Sequence, residues 1–97
     1  MRPELDTYVV YDIEDDRVRT QIANACKDYG LERVQFSAFL GPLNANKREE
    51  LYLRLKRVLG DKPGKVLVIP ICEKDQKARR AITVHMDADG KPEIIEE

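Results

Sequence analysis

The sequence contains no tryptophan, one histidine and two cysteines, and aromatic residues make up only 6% of its 97 positions. Because His85 is the sole imidazole, one chain can build neither a histidine-based catalytic pair nor a histidine-rich metal site. No apolar run approaches the roughly 18–20 residues needed to cross a bilayer. The first six residues lack the basic-then-apolar pattern of a signal peptide. These absences predict a soluble, cytoplasmic protein.

The two cysteines are interpreted as buried free thiols. Cys26 falls on the apolar side of a predicted helix, and Cys72 lies at the end of an apolar strand. They are far apart in sequence and match no metal-ligand spacing. A disulfide is disfavoured in a reducing cytoplasm, whereas free cysteine packs as a small hydrophobic residue.

Composition predicts one small domain spanning residues 1–97, with 42% hydrophobic and 36% charged residues. The net charge of −1 argues against general electrostatic attraction to nucleic acid. Any phosphate binding must therefore come from local basic patches. The basic residues form three groups, which are Arg17, Arg19 and Arg33; Arg54, Lys56 and Arg57; and Lys77, Arg79 and Arg80.

The order of predicted elements is that of an α+β, ferredoxin-like βαββαβ domain. The elements are a strand over 7–13, a helix from Asp15 or Asp16 to about Tyr29, two short strands within 31–43, a helix from Asn46 to Gly60 and a strand over 65–72. Asn46 with Glu49 resembles a capping box at the second helix. Pro70 removes one ladder hydrogen bond and so predicts that the last strand lies at a sheet edge. This core covers about residues 7–72.

A second copy of the chain is predicted to cover one face of the sheet. The first strand, residues 7–13, is apolar almost throughout, so both of its faces need burial. Two helices cover one face, and a homodimer would cover the other. After a charged linker, two short strands at 82–86 and 93–95 have no position in the four-stranded plan. We expect this extension, 73–97, to pair with the partner protomer.

Asp12 is a carboxylate at the end of this apolar strand. It is interpreted either as an acid that caps the following turn or as a ligand for a hard cation such as Mg²⁺. One aspartate makes a poor magnesium site, but two are adequate, and a two-fold axis near Asp12 would supply the second. The acidic residues at 14–16 are better explained as charges at a helix start.

Polar and aromatic residues suited to nucleic acid surround Asp12 in the sequence. Arginine holds phosphate through a planar fork, serine and glutamine bind sugar or phosphate oxygens, and phenylalanine stacks on a base or fills an interface. The residues concerned are Tyr11, Arg19, Arg33, Gln35, Ser37 and Phe39. Phe36 and Phe39 are also typical of core positions.

Several of these motifs together resemble one known family. Tyr-Asp-Ile at 11–13, an arginine early in the first helix, Tyr-Gly at 29–30 and Val-Gln-Phe-Ser-Ala-Phe at 34–39 resemble the "Cas two" family. These small CRISPR-associated proteins accompany the "Cas one" integrase during spacer acquisition. The segment 30–41 is most similar to archaeal or thermophilic members. The resemblance covers about residues 7–72.

The resemblance implies a ferredoxin-like homodimer that holds Mg²⁺ at Asp12 and cleaves phosphodiester bonds. The family's catalytic positions correspond to Tyr11, Asp12, Arg19, Arg33 and Phe39 in this sequence. Arg19 and Arg33, with Gln35 and the motif serine Ser37, are the expected nucleic-acid contacts. Two departures are Gln21, where close relatives can carry another arginine, and Ala38, which replaces the usual valine.

The resemblance leaves the biochemical role open. Some members of the family cleave single-stranded RNA, some cut double-stranded DNA, and others act mainly as a dimeric scaffold that bridges integrase dimers and protospacer DNA. The expected partners are therefore a second copy, the integrase and nucleic acid. Outside the family, a metabolite-binding regulatory domain is disfavoured because the sequence has no glycine-rich effector loop.

Overall fold

Six strands and three helices make up the computed structural model, which describes residues 3–97. In chain order they are β1 (Leu5–Ile13), α1 (Asp16–Asp28), β2 (Glu32–Gln35), β3 (Ala38–Leu43), α2 (Ala45–Leu59), β4 (Gly64–Ile71), α3 (Glu73–Ala78), β5 (Ile82–Met86) and β6 (Pro92–Glu96). Strands β1–β4 form an antiparallel sheet in the order β2-β3-β1-β4. The predicted α+β, ferredoxin-like order is confirmed, with β1 central and the Pro70 strand at an edge. None of the helices described is long and apolar enough to span a membrane.

Helix α1 forms where the apolar period and its caps predict it. Val18, Ile22 and Cys26 recur at helical spacing and are buried against the sheet. The Asp15 side chain accepts a hydrogen bond from the Val18 amide at 3.0 Å, which satisfies one free N–H of the first turn. Gly30, with φ of 82°, ends the helix. Of the two predicted caps, Asp15 or Asp16, the structure selects Asp15. The predicted burial of Cys26 is confirmed.

Helix α2 begins two residues earlier than the sequence predicts. The Asn44 side chain, rather than that of Asn46, caps it by accepting a hydrogen bond from the Lys47 amide at 2.8 Å. Asn44 directly follows the end of β3 and is extended, with φ of −76° and ψ of 170°, so the chain turns there. The predicted capping box is therefore wrong, because Asn46 and Glu49 both lie inside the helix.

Side chains of the central strand alternate between the two faces of the sheet. Thr7, Val9, Tyr11 and Ile13 are buried beneath the helices, where Val9 and Tyr11 join the main core. Tyr8, Val10 and Asp12 point to the opposite side, called the open face here, together with their neighbours Leu40, Leu67 and Ile69. Val10, Leu67 and Ile69 remain 37%, 42% and 40% exposed. The apolar character predicted for both faces of β1 is thus present, and only one face is covered within the chain.

The segment predicted as a charged linker contains a short helix, α3. It lies beside β1, and the Tyr8 hydroxyl donates a hydrogen bond to the Gln76 side chain at 3.4 Å. Cys72 immediately precedes this helix and is exposed. Its predicted burial is wrong because Cys72 lies beyond the last paired residue of β4.

Strands β5 and β6 form a hairpin separate from the main sheet. Cross-strand pairing of Val84 with Ile94 puts both on one face of the hairpin, beside Ile82 and Met86. Ile82, Met86 and Ile94 are 73%, 68% and 64% exposed. The predicted terminal strands therefore form, and they present an uncovered apolar surface.

Candidate nucleic-acid and metal site

Asp12 lies on the open face, at the end of the central strand. It is exposed, and its neighbour across the sheet is Lys65 of β4. Behind it the open face is apolar, beginning with Val10 and Leu67. Among residues 3–97, no three His, Cys, Asp or Glu side chains come close enough to hold a metal ion. Within the described residues, one chain therefore does not supply a three-ligand metal site at Asp12.

Tyr11 points away from Asp12, into the core. Its side chain is only 4% exposed, and its ring stacks on that of Phe39 with 6.4 Å between centroids. Burial raises the pKa of the Tyr11 hydroxyl, an effect that the nearby Arg33 guanidinium partly offsets. At neutral pH the hydroxyl therefore stays protonated. Tyr11 and Asp12 are sequence neighbours on opposite sides of one sheet.

Arg33 covers the outer side of Phe39. The Phe39 ring is fully buried, and the Arg33 guanidinium carbon lies 5.0 Å from the ring centroid. The same guanidinium donates a hydrogen bond to the Phe36 carbonyl at 2.6 Å. A base has no access to the Phe39 ring in this arrangement. Phe39 instead supports Arg33, which fixes the turn between β2 and β3.

Arg19 ties the start of α1 to the end of β1. Its guanidinium donates to the carbonyls of Ile13 and Glu14 at 2.9 and 3.0 Å, and it forms an ion pair with Asp16. Its guanidinium carbon also lies 5.9 Å from the centre of the Phe36 ring. Arg19 is thus held in a fixed position beside an exposed aromatic side chain.

A cleft opens between α1 and the β2–β3 turn, on the helix side of the sheet. It has a volume of about 390 Å³, and it is called the Phe36 cleft below. Its lining includes Tyr11, Arg19, Asn24, Lys27, Arg33 and Phe36. Three cations and two aromatic rings therefore meet at one concave surface, and Asp16 is the only carboxylate in its lining. This combination suits a nucleotide, whose base can stack on an aromatic ring and whose phosphate can bind a cation.

Gln35 and Ser37 lie on a second concave surface, on the open side of the sheet. This groove has a volume of about 860 Å³ and extends to Arg79 and Arg80, just before β5. The backbone of Ser37 also joins the sheet, because its carbonyl accepts a hydrogen bond from the Tyr11 amide at 3.0 Å. Asp12 is not part of the groove lining.

The structure divides the predicted site residues between these two sides. Tyr11, Arg19, Arg33 and Phe39 come together on the helix side, whereas Asp12, Gln35 and Ser37 lie on the open side. The two groups meet at the turn formed by residues 36–37. Phe36, in this turn, lines both concave surfaces.

Sequence reasoning missed Phe36, Asn24 and Lys27 as members of the site. The core position suggested for Phe36 is wrong, since the residue is 74% exposed. No sequence signal marked its exposure, because the two-residue turn at 36–37 is defined only by the pairing of β2 with β3. Thr20, Asn24 and Lys27 recur at i, i+4 and i+7 on α1, which marks a polar stripe beside the cleft.

A four-stranded antiparallel sheet with two helices on one face defines a ferredoxin-like α+β protein. Its distinguishing features are an exposed aspartate at the end of the central strand, on the open face, and a basic, aromatic cleft on the helix side of the sheet. Residues 7–79 match the family of CRISPR associated protein Cas2. The chain belongs to this family, and the predicted resemblance is confirmed.

Individual relatives agree with this assignment. The chain is 48% identical over 89 residues to the CRISPR-associated endoribonuclease Cas2 of Desulforudis audaxviator, covering 92% of this chain and 81% of that protein. It is 43% identical over 51 residues to a Cas1/Cas2 fusion of Thermoproteus tenax, covering 53% of this chain and 19% of the fusion. The crystal structure of Streptococcus pyogenes Cas2 has the same fold, with a TM-score of 0.66 and 21% identity over 77% of this chain and 95% of that one.

Proposed function

We propose that the protein is a Mg²⁺-dependent endonuclease of CRISPR adaptation that cleaves phosphodiester bonds and acts as a homodimer. The single observation that carries the proposal is the position of Asp12, an exposed carboxylate at the end of the central strand, next to the apolar centre of the open face. The name endoribonuclease, which is given to the Desulforudis audaxviator relative, favours RNA as the substrate. Double-stranded DNA is the other candidate.

Asp12 of each protomer would hold the metal. A single chain lacks a ligand group of three within residues 3–97, so the site needs the second carboxylate that a two-fold axis would supply. Carboxylate oxygens are the protein ligands that Mg²⁺ prefers, and water molecules complete its shell. When bound, the ion would neutralise charge on a phosphodiester and lower the pKa of a water molecule.

The chain's own residues would bind and orient the strand. Arg33 presents its guanidinium at the cleft and forms no ion pair with any residue from 3 to 97, so it is available to a phosphate. Arg19 adds positive charge from a fixed position. Gln35 and Ser37 offer hydrogen bonds on the other side of the turn. Buried Tyr11 and Phe39 act as positioning residues, because they hold Arg33 and the turn in place.

The homodimer would bury the open face and the apolar hairpin. Val10, Leu67 and Ile69 on the sheet and Ile82, Val84 and Met86 on β5 are all exposed in one chain. Exposed apolar surface of this kind is typical of an interface. Pairing of β5 with an edge strand of the partner would also satisfy the backbone groups of that edge.

A second candidate function is a non-catalytic scaffold that bridges Cas1 integrase dimers and protospacer DNA. Two observations favour it. A relative exists as a Cas1/Cas2 fusion, which suggests that the two proteins work side by side. Within residues 3–97, one chain also supplies no group of three metal-ligating side chains. The two functions are compatible, because a scaffold can retain a nuclease site.

The substitution Asp12→Asn tests the nuclease proposal, since it keeps the side-chain shape and removes the charge. We expect cleavage of single-stranded RNA by the purified dimer to fall by more than about 10²–10³-fold, the cost of losing one charge-stabilising group. The remaining activity should no longer depend on Mg²⁺. Cleavage is measured on end-labelled RNA and on duplex DNA over a Mg²⁺ titration.

Asp6→Asn is a matched control. Asp6 lies on β1 and on the same face as Asp12, at the other end of the strand opposite Ile71, so its substitution should leave cleavage unchanged. Equal cleavage by Asp12→Asn and the parent protein, free of contaminating nuclease, would contradict the nuclease proposal. If Asp12→Asn still supports spacer integration with the integrase, the scaffold function stands independently of cleavage.

A further inference from the structure

Phe36 is the most exposed aromatic residue at the site. Its side chain lies in the β2–β3 turn and is 74% exposed. Exposing a phenylalanine ring to water costs free energy in proportion to its apolar area. The ring nevertheless has defined contacts. The Arg33 guanidinium anchors the Phe36 carbonyl at 2.6 Å, and Arg19 lies 5.9 Å from the ring centre. A rigid support therefore presents an aromatic surface to solvent.

Positive charge surrounds this ring. Lys27 and Arg33 line the same cleft, and neither takes part in an ion pair within residues 3–97. Asp16, the one carboxylate in the lining, is already paired with Arg19. The cleft consequently has two cations available for an anionic ligand, and Asn24 adds an amide that can donate or accept a hydrogen bond.

We propose that the Phe36 cleft binds one unpaired nucleotide, with its base stacked on Phe36 and its phosphate held by Lys27 and Arg33. The inference rests on the proposed nucleic-acid function and specifies its substrate as a single strand. A volume of about 390 Å³ lies at the small end of ligand pockets, ~300–1,000 Å³, which suits one nucleotide. Stacking on an aromatic ring tolerates every base, so the cleft would accept many sequences.

The cleft discriminates against duplex nucleic acid. A base inside a duplex is stacked on both faces, and it must leave the helix before it can lie on a protein ring. An unpaired base already has a free face. Single strands should therefore use Phe36, whereas duplexes should bind only through their phosphates. RNA and DNA single strands present similar bases and the same phosphates to the cleft, so binding is measured separately for each.

Fluorescence anisotropy with labelled 12-nucleotide strands tests the inference. Binding is measured with chelator present, so that neither cleavage nor the metal site affects the result. Phe36→Leu removes the ring and keeps apolar bulk. It should weaken single-strand binding roughly 5- to 150-fold, the range expected for loss of one stacked base, and change duplex binding less than about twofold. Phe36→Tyr keeps the ring and should bind like the parent protein.

Tyr52→Leu is the matched control. Tyr52 is an aromatic residue on α2, 46% exposed and outside the cleft lining, so its loss should leave both affinities unchanged. The inference is overturned if Phe36→Leu binds single strands as tightly as the parent protein, or if it loses duplex binding equally. It is also overturned if light scattering shows that this variant has changed its oligomeric state, since Phe36 would then be an interface residue.

The two proposals fail in distinguishable ways. If Phe36→Leu binds single strands as tightly as the parent protein while cleavage still depends on Asp12, only the nucleotide site is overturned. Selective weakening of single-strand binding in chelator, with no Asp12-dependent cleavage, supports the nucleotide site and contradicts the nuclease.

Discussion

At the scale of single residues, neighbours in sequence serve different sides of the molecule. Tyr11 is buried beneath the helices and Asp12 is exposed on the open face, because side chains alternate along a strand. The Tyr-Asp pair, which looks like one motif in the sequence, therefore contributes to two separate sites in the fold. Tyr11 belongs to the support of Arg33, and Asp12 belongs to the candidate metal site.

Cys26 makes a testable contribution to the dependence of stability on pH. Burial raises the pKa of its thiol to about 12, whereas an unfolded cysteine has a pKa of about 8.5. The folded state thus binds the proton more tightly, and the associated stability is present below the unfolded pKa and lost as pH rises toward the folded one. Between pH 8 and 10 the free energy of unfolding should fall by about 1–2 kcal/mol from this group.

Urea unfolding at the two pH values measures this effect. Cys26→Ala should be less stable overall because of the cavity it leaves, but it should lose less stability on going to high pH. Cys72→Ala, which changes an exposed thiol, is the matched control for the substitution itself. An identical pH dependence in Cys26→Ala and the parent would show that the thiol does not titrate as expected.

At the scale of elements, the cap of α2 provides a comparison between two asparagines. Asn44→Ala removes the hydrogen bond to the Lys47 amide and should lower stability by about 1 kcal/mol. For a domain of this size that corresponds to a melting temperature lower by roughly 4–8 °C. Asn46→Ala, inside the helix, should change stability by less than about 0.5 kcal/mol. Equal losses at both positions in thermal unfolding would contradict the assignment of the cap.

The elements themselves were largely predictable, for specific reasons. Val18, Ile22 and Cys26 repeat at helical spacing, and the β-branched run of β1 has no helical alternative. The start of α2 was mispredicted because Asn44 and Asn46 are chemically alike, and only the extended backbone after β3 selects the first. Helix α3 has a charged sequence with no buried residue, so no apolar period was present to reveal it.

The candidate site was predictable in part only. Asp12, Arg19 and Arg33 stand out because polar residues flank an apolar strand. Their division between two sides of the sheet depends on strand register, which cannot be read directly from the sequence. The exposure of Phe36 depends on a two-residue turn, whose position is resolved only when β2 and β3 are paired.

At the scale of the whole molecule, one chain leaves a large apolar surface uncovered. Within residues 3–97, the hairpin of β5 and β6 pairs only with itself, and no element covers the open face. Full burial of a Val, Ile or Met side chain contributes roughly 1.5–3 kcal/mol. Several such side chains together favour association strongly.

Removal of residues 82–97 tests the dimer. Light scattering should give a dimeric mass for the full chain at micromolar concentration. The truncated protein should have a dimer Kd at least about tenfold higher, because each 1.4 kcal/mol of lost interface energy raises Kd tenfold. Residues 73–81 are kept because Gln76 of α3 contacts Tyr8. His85→Ala is the control and should remain dimeric, because His85 pairs with Glu93 on the face of the hairpin away from Val84 and Ile94. A monomeric full chain at this concentration would contradict the proposed assembly.

The Phe36 cleft and Asp12 lie on opposite sides of the sheet within one protomer. The two-fold axis of the proposed homodimer would repeat both features in the second subunit. Each subunit would then offer an equivalent path for one nucleic-acid strand. We therefore expect the proposed dimer to bind two strand ends at once, one per subunit.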